Sequence, residues 1–206
     1  MSNTKEQILI TALRLFAQDG YEAVSTAMIA GELGMTKGAL YKHYKNKQDI
    51  FDSIIARMVE IDVEQSTEHG IPVETYENAP TTYQNVSVEE DLKYTKKYFH
   101  FWTQDDFGKN FRRMLTIEQF RNLQARKMHG MVIAGGLFEY MTNMYRVWID
   151  EGVVIDDDPE MMALEFCGPF HYLISLSDTA SDIKHLENLL DKHIERLLEK
   201  YMVKEK

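Results

Sequence analysis

The chain has 206 residues, of which 44% are hydrophobic and 27% charged, and its formal net charge is −10. That length suffices for one large domain or for a small domain joined to a larger one, and the apolar and aromatic content is too high for a disordered chain. A single cysteine, Cys167, excludes an intrachain disulfide framework. With no signal-peptide pattern and no apolar run of membrane-spanning length, the expectation is a cytoplasmic protein with no membrane partner. The acidic total argues at first against nucleic acid, but it is unevenly spread. Residues 1–58 carry seven Lys/Arg and six Asp/Glu, so the acidity lies in the remainder. Between Glu32 and Asp49 there is no acid, whereas Lys37, Lys42, Lys45 and Lys47 all fall there. From charge alone, a solvated helix face and a phosphate-binding face fit this run equally well.

The spacing of Ile8, Leu9, Ala12, Leu13 and Phe16 predicts an amphipathic helix over 5–18, with Gly20 as its stop. Ser25 or Thr26 is placed to cap a second helix through Leu33, and Thr36 a third over roughly 37–44. A longer helix opens at Asn46-Lys47-Gln48. Residues 68–88, with Gly70, Pro72 and Pro80, show no period; a lid, a packed loop and disorder all fit that stretch. Helical spacing then recurs in four segments whose apolar faces include Leu92–Trp102, Phe111–Phe120, Met128–Val132 and Phe138–Trp148. Asp158-Pro159-Glu160 reads as a helix start, with an irregularity expected at Gly168-Pro169, and a last helix covers about 183–202. The fold class is all-α, with nine or ten helices.

Residues 26–44 meet the requirements of a helix-turn-helix. Gly34 sits in the turn, Ala30 is small where the helices cross, and Ile29, Leu33 and Leu40 face inward. That leaves Thr36, Lys37, Tyr41, Lys42, His43 and Tyr44 to face outward on the helix that would enter a major groove, where lysines and hydroxyls meet phosphates and base edges. An ordinary helical hairpin with polar surface residues is the bland alternative, and outward tyrosines beside lysines weigh against it.

The run from Thr26 to Lys47, together with Ala12, Phe16 and Gly20 of the first helix, closely resembles the DNA-binding domain of TetR-family transcriptional regulators. The specific resemblance covers about residues 5–58; Tyr44 stands where phenylalanine is more usual. It implies a three-helix DNA-binding domain over 1–48 and a helical ligand-binding and dimerisation domain over 49–206. It also implies a homodimer on a palindromic, double-stranded operator, usually as a repressor, released by an unidentified small-molecule effector. By position, Thr26 would hold a phosphate, Thr36, Lys37, Gly38 and Ala39 would sit at the groove, and Tyr41, His43 and Tyr44 would touch backbone or bases. Lys42 belongs to the same face, and Lys47 would grip a phosphate.

Candidates for a ligand cavity are Tyr98, Trp102, Phe111, Met114, Met131, Phe138, Met141 and Tyr145, since methionine walls suit variable hydrophobic ligands. Glu118 is added as a partner for a cation, although a structural role is the better reading. The last two helices are expected to form the dimer interface through Phe170, Leu186, Leu190, Ile194, Leu197 and Tyr201. No zinc spacing, calcium loop, catalytic triad or phosphate cradle is present in the sequence, so no metal, cofactor or enzymatic activity is expected. The rival is a helical small-molecule carrier or enzyme with a non-functional helix-turn-helix, which the basic stretch Lys37–Lys47 disfavours.

Overall fold

The computed structural model describes residues 4–74 and 76–203. Over these the chain is all-helical, with α1 (Thr4–Asp19), α2 (Thr26–Glu32), α3 (Lys37–Leu40), α4 (Lys47–Glu68), α5 (Pro80–Tyr83), α6 (Val88–Thr103), α7 (Asp106–Glu118), α8 (Leu123–His129), α9 (Gly136–Asp150), α10 (Pro159–Leu176) and α11 (Ile183–Tyr201). A π-helical stretch, Gly130–Gly135, joins α8 to α9. An isolated antiparallel bridge joins Val154 and Met202. The chain forms two compact units, the first made of residues 1–65 and 104–131 and the second of 66–103 and 132–206.

In the first unit, α1 buries Ile8, Leu9, Ala12, Leu13 and Phe16 on one face, the set its spacing selects. Phe16, Tyr21 and Phe51 form an aromatic cluster with centroids 5.2–6.3 Å apart. Gly20 ends α1 at φ +82°, and a Cβ there would lie 3.2 Å from Glu118 Oε1. The positive φ calls for glycine at that position, and a Cβ would in addition crowd the Glu118 carboxylate. The same Glu118 oxygen accepts the Tyr21 N–H at 2.8 Å, tying the end of α7 to the turn that follows α1.

The second unit resolves the open question of residues 68–88 in favour of a packed loop. Ile71, Tyr83 and Val86 are buried, Tyr83 donates to Glu74 O at 3.2 Å, and Trp148 Nε1 donates to Val86 O at 3.2 Å. Asp158 caps α10 through the Glu160 N–H at 2.9 Å, with Pro159 in the first turn. The expected irregularity at Gly168-Pro169 does not interrupt α10, which runs through Pro169. The separate helices expected around Met128 and Phe138 are instead continuous through the π-helical stretch. Two successive glycines, Gly135 and Gly136, mark the point where α-helical geometry resumes.

Candidate nucleic-acid interface

The geometry of the basic segment follows from two caps and one turn. Ser25 Oγ accepts the Met28 N–H at 3.2 Å and starts α2; Thr36 Oγ1 accepts the Ala39 N–H at 3.1 Å and starts α3. Between them Gly34 adopts φ +63°, and its N–H closes onto Gly31 O at 3.0 Å. The third helix is shorter than its sequence suggests. Its α-helical part ends at Leu40, and a looser turn carries the chain to Tyr44, with His43 N–H on Leu40 O at 2.9 Å. Leu40 is fully buried and anchors the segment.

This arrangement exposes Thr36, Lys37, Gly38, Tyr41, Lys42 and His43 together, with Ala39 half-exposed beside them. Lys37 Nζ lies 5.6 Å from the centre of the Tyr41 ring. Tyr41 is 44% exposed and its hydroxyl is 3.2 Å from Thr26 Oγ1. That hydrogen bond lowers the Tyr41 pKa from its ordinary value; desolvation opposes it, and the nearby Lys37 adds to it to a lesser degree. At Gly38 a Cβ would meet only Thr36 Oγ1, at 3.9 Å, so nothing inside the protein demands glycine there. The face thus offers two ammonium groups, hydroxyls and a flat spot where a backbone can approach closely.

Three of the expected contact residues are placed otherwise. Tyr44 is 2% exposed, and its hydroxyl donates to Lys5 O at 3.1 Å. Burial pushes its pKa up to about 12, with Glu6 and Asp49 adding to the effect. It belongs to the core rather than the outward face. Lys47 does not project freely. Its ammonium donates to Tyr21 O at 2.7 Å, Val24 O at 2.9 Å and Glu22 O at 3.5 Å, and lies 4.2 Å from the Tyr21 ring centre. All three protons of Lys47 are committed to closing the 21–24 turn. Thr26 is buried and holds the Tyr41 hydroxyl.

Residues 8–54, which contain this whole arrangement, match the profile of the bacterial regulatory proteins of the tetR family. Over these residues the chain is similar to that family's DNA-binding segment. It is 47% identical over 51 residues to the HTH-type transcriptional regulator AcrR of Shigella flexneri, covering 25% of this chain and 24% of that protein. The chain thus matches about a quarter of the length of the curated relatives. Likeness of fold extends much further. A TetR transcriptional regulator from Chloroflexus aurantiacus superposes with a TM-score of 0.68 at 16% identity, over 98% of this chain and 97% of that one. SmeT, the repressor of the Stenotrophomonas maltophilia multidrug efflux pump SmeDEF, gives a TM-score of 0.63 at 17% identity, over 98% and 92%. SmeT is also solved as a complex with triclosan.

The residues expected to hold a ligand are divided between the two units. Phe111 and Met114 are fully buried in the first unit, and Glu118 is committed to the Tyr21 N–H, so it is a structural cap and not a partner for a bound cation. Met131 is 67% exposed on the π-helical stretch. In the second unit Tyr98 and Trp102 join Phe99 and Phe170 in an aromatic cluster, while Phe138 is half-exposed. Met141 and Tyr145 line a cavity whose one carboxylate, Asp91, sequence reasoning missed. Asp91 follows two acids at the start of α6 and so reads as part of a solvated run. The missed signal is its spacing: it precedes the buried Tyr94, Thr95 and Phe99 by three, four and eight residues, on the inward face.

The residues expected at a dimer interface need a similar correction. Phe170, Leu186, Leu190, Ile194 and Tyr201 are all buried within a single chain, and Leu197 is half-exposed. Such side chains have little surface left to give a partner. The exposed apolar residues of α10 and α11 are Met161, Leu164, Tyr172 and Leu189.

Proposed function

We propose that this protein is a ligand-responsive transcriptional regulator, a repressor that binds a palindromic operator as a homodimer. The observation that carries this reading is the exposed Thr36–His43 face, which lies in the acid-free stretch of an otherwise acidic chain and within the segment that matches the tetR family profile. Lys37 and Lys42 meet phosphates, Thr36 and Tyr41 donate hydroxyl hydrogen bonds, and Gly38 and Ala39 admit the duplex backbone or base edges. His43 extends the same face. Thr26 acts through Tyr41 by holding its hydroxyl, and Lys47 acts by fixing the turn against which α4 starts.

The functional division we propose is a DNA-binding domain over 1–48 and an effector and dimerisation domain over 49–206. The chain passes between its two compact units after Gln65, Thr103 and Met131, so a ligand that reshapes the second unit pulls on α4 and α7 through covalent links. Release follows if the ligand favours the arrangement in which two recognition segments no longer fit successive major grooves. The dimer forms through the outward stripe of α10. Met161, Leu164 and Tyr172 lie on one side of that helix, with Leu189 of α11 as the adjoining contribution. SmeT with triclosan supports a small hydrophobic or amphipathic effector for a protein of this fold. Action in the cytoplasm belongs to the same proposal.

A mobility shift on the upstream region of the protein's own gene tests the reading. Wild type shifts the fragment, and Tyr41→Ala loses the shift while keeping full helicity by circular dichroism. A retained shift in Tyr41→Ala would remove the Thr36–His43 face as the contact surface.

A further inference from the structure

The second unit holds a small, half-open cavity of about 30 Å³. Its floor consists of the buried Asp91, Met141, Tyr145, Trp148, Phe166 and Ile194. Its rim is apolar and half-exposed, formed by Val88, Leu92, Leu197, Leu198 and Met202. Asp91 is only 1% exposed. Its Oδ1 accepts a 2.8 Å hydrogen bond from the Tyr140 hydroxyl, whereas its Oδ2 is buried with no hydrogen-bond partner in the protein.

The neighbours of Asp91 do not satisfy that oxygen. The Tyr201 hydroxyl, on the cavity wall, donates instead to Glu165 at 2.7 Å, and Lys200 is bound to the same carboxylate at 2.7 and 2.8 Å. The carboxylate of Asp91 acts on the hydroxyls of Tyr140 and Tyr145 and on the thiol of Cys167, raising the pKa of each. A buried carboxylate is stable only when it is protonated or paired, and an orphan oxygen asks for a hydrogen-bond donor. The faces of Trp148 and Tyr145 favour positive charge beside them. The cavity admits a head group of a few heavy atoms but not a drug-sized body, and the rim suits an alkyl or aryl tail.

We propose that Asp91 is the recognition residue for a protonated amine. The ammonium of an amphipathic amine donates to Asp91 Oδ2 on the cavity floor, beside Tyr145 and Trp148, and its apolar tail lies along the Val88–Leu92–Leu197 rim. This names the chemical class of the effector and rests on the reading of the second unit as an effector domain. A neutral alcohol of the same length gains only the tail contacts.

Calorimetric titration of the full-length protein near neutral pH with hexylammonium chloride and with 1-hexanol tests the assignment. Wild type binds the amine about tenfold or more tightly than the alcohol, as expected for a charged hydrogen bond. Asp91→Asn abolishes that preference and leaves the alcohol unaffected. Equal affinities in wild type, no amine binding, or an undiminished preference in Asp91→Asn would overturn the proposal. Should the variant fail to fold, wild type alone decides. The amine stays charged in weak acid, so its affinity falls as the pH drops through the titration of Asp91 at about 6, while that of the alcohol does not. An amine affinity independent of pH would overturn the assignment equally. None of these readouts uses DNA, so their failure leaves operator binding intact, and a failed mobility shift leaves the amine preference intact.

Discussion

Asp91 sets a pH dependence that can be measured without any ligand. Burial raises its carboxyl to about 6, and the Tyr140 hydrogen bond only partly opposes the shift. In the unfolded chain the group titrates in the ordinary carboxylate range, near 4. The protonated form therefore suits the fold, and its contribution is fully present at acid pH and lost as pH rises through about 6. Two pKa units correspond to roughly 3 kcal/mol. Denaturation of wild type and Asp91→Asn from below about pH 4 to above about pH 6 should show the variant gaining relative stability by an amount of this order, with no further change at higher pH. A constant difference between the two proteins would mean that Asp91 does not titrate in this range. Tyr44 and Lys47 teach a related lesson about single residues. Both sit in a basic, polar run, and both are used internally, Tyr44 on Lys5 O and Lys47 on the carbonyls of residues 21–24. A charge run shows where cations are, but not which of them are already spoken for by backbone carbonyls distant in sequence.

At the scale of helices, the apolar periodicity of α1 and the cap-and-glycine punctuation of α2 and α3 carry nearly all of the information needed to build the first unit. Ile8, Ala12 and Phe16 recur at helical spacing, Ser25 and Thr36 cap where hydroxyls are expected to cap, and Gly34 turns. What the sequence could not express is long-range pairing. Glu118 looks like an acid stranded in an apolar run, because its partner, the Tyr21 N–H, is 97 residues away. Glu118→Ala leaves that N–H without its acceptor and should cost about 1–3 kcal/mol in a urea titration. Glu118→Gln keeps an acceptor and should recover most of the loss. Two variants as stable as wild type would show that the contact holds nothing together. The same holds for Phe111 and Met114: they lie on an amphipathic helix, and periodicity cannot say which of two cores that helix joins.

For the whole molecule, the decisive property is the placement of charge. The formal total of −10 would repel phosphate if spread evenly. Instead the acid-free stretch between Glu32 and Asp49 coincides with the exposed Thr36–His43 face, the surface that the proposed function assigns to DNA. The structure narrows that surface further, since Lys47 and Tyr44 are engaged elsewhere and Lys37, Lys42 and Lys45 remain as outward cations of the stretch. The most direct measurement is the salt dependence of binding to the upstream region of the protein's own gene, followed by fluorescence anisotropy for wild type and Lys42→Ala. Each phosphate contact contributes about 0.9 to the slope of log affinity against log salt, so losing one per subunit should reduce a dimer's slope by about two. An unchanged slope in Lys42→Ala, or no binding by wild type at low salt, would contradict the account.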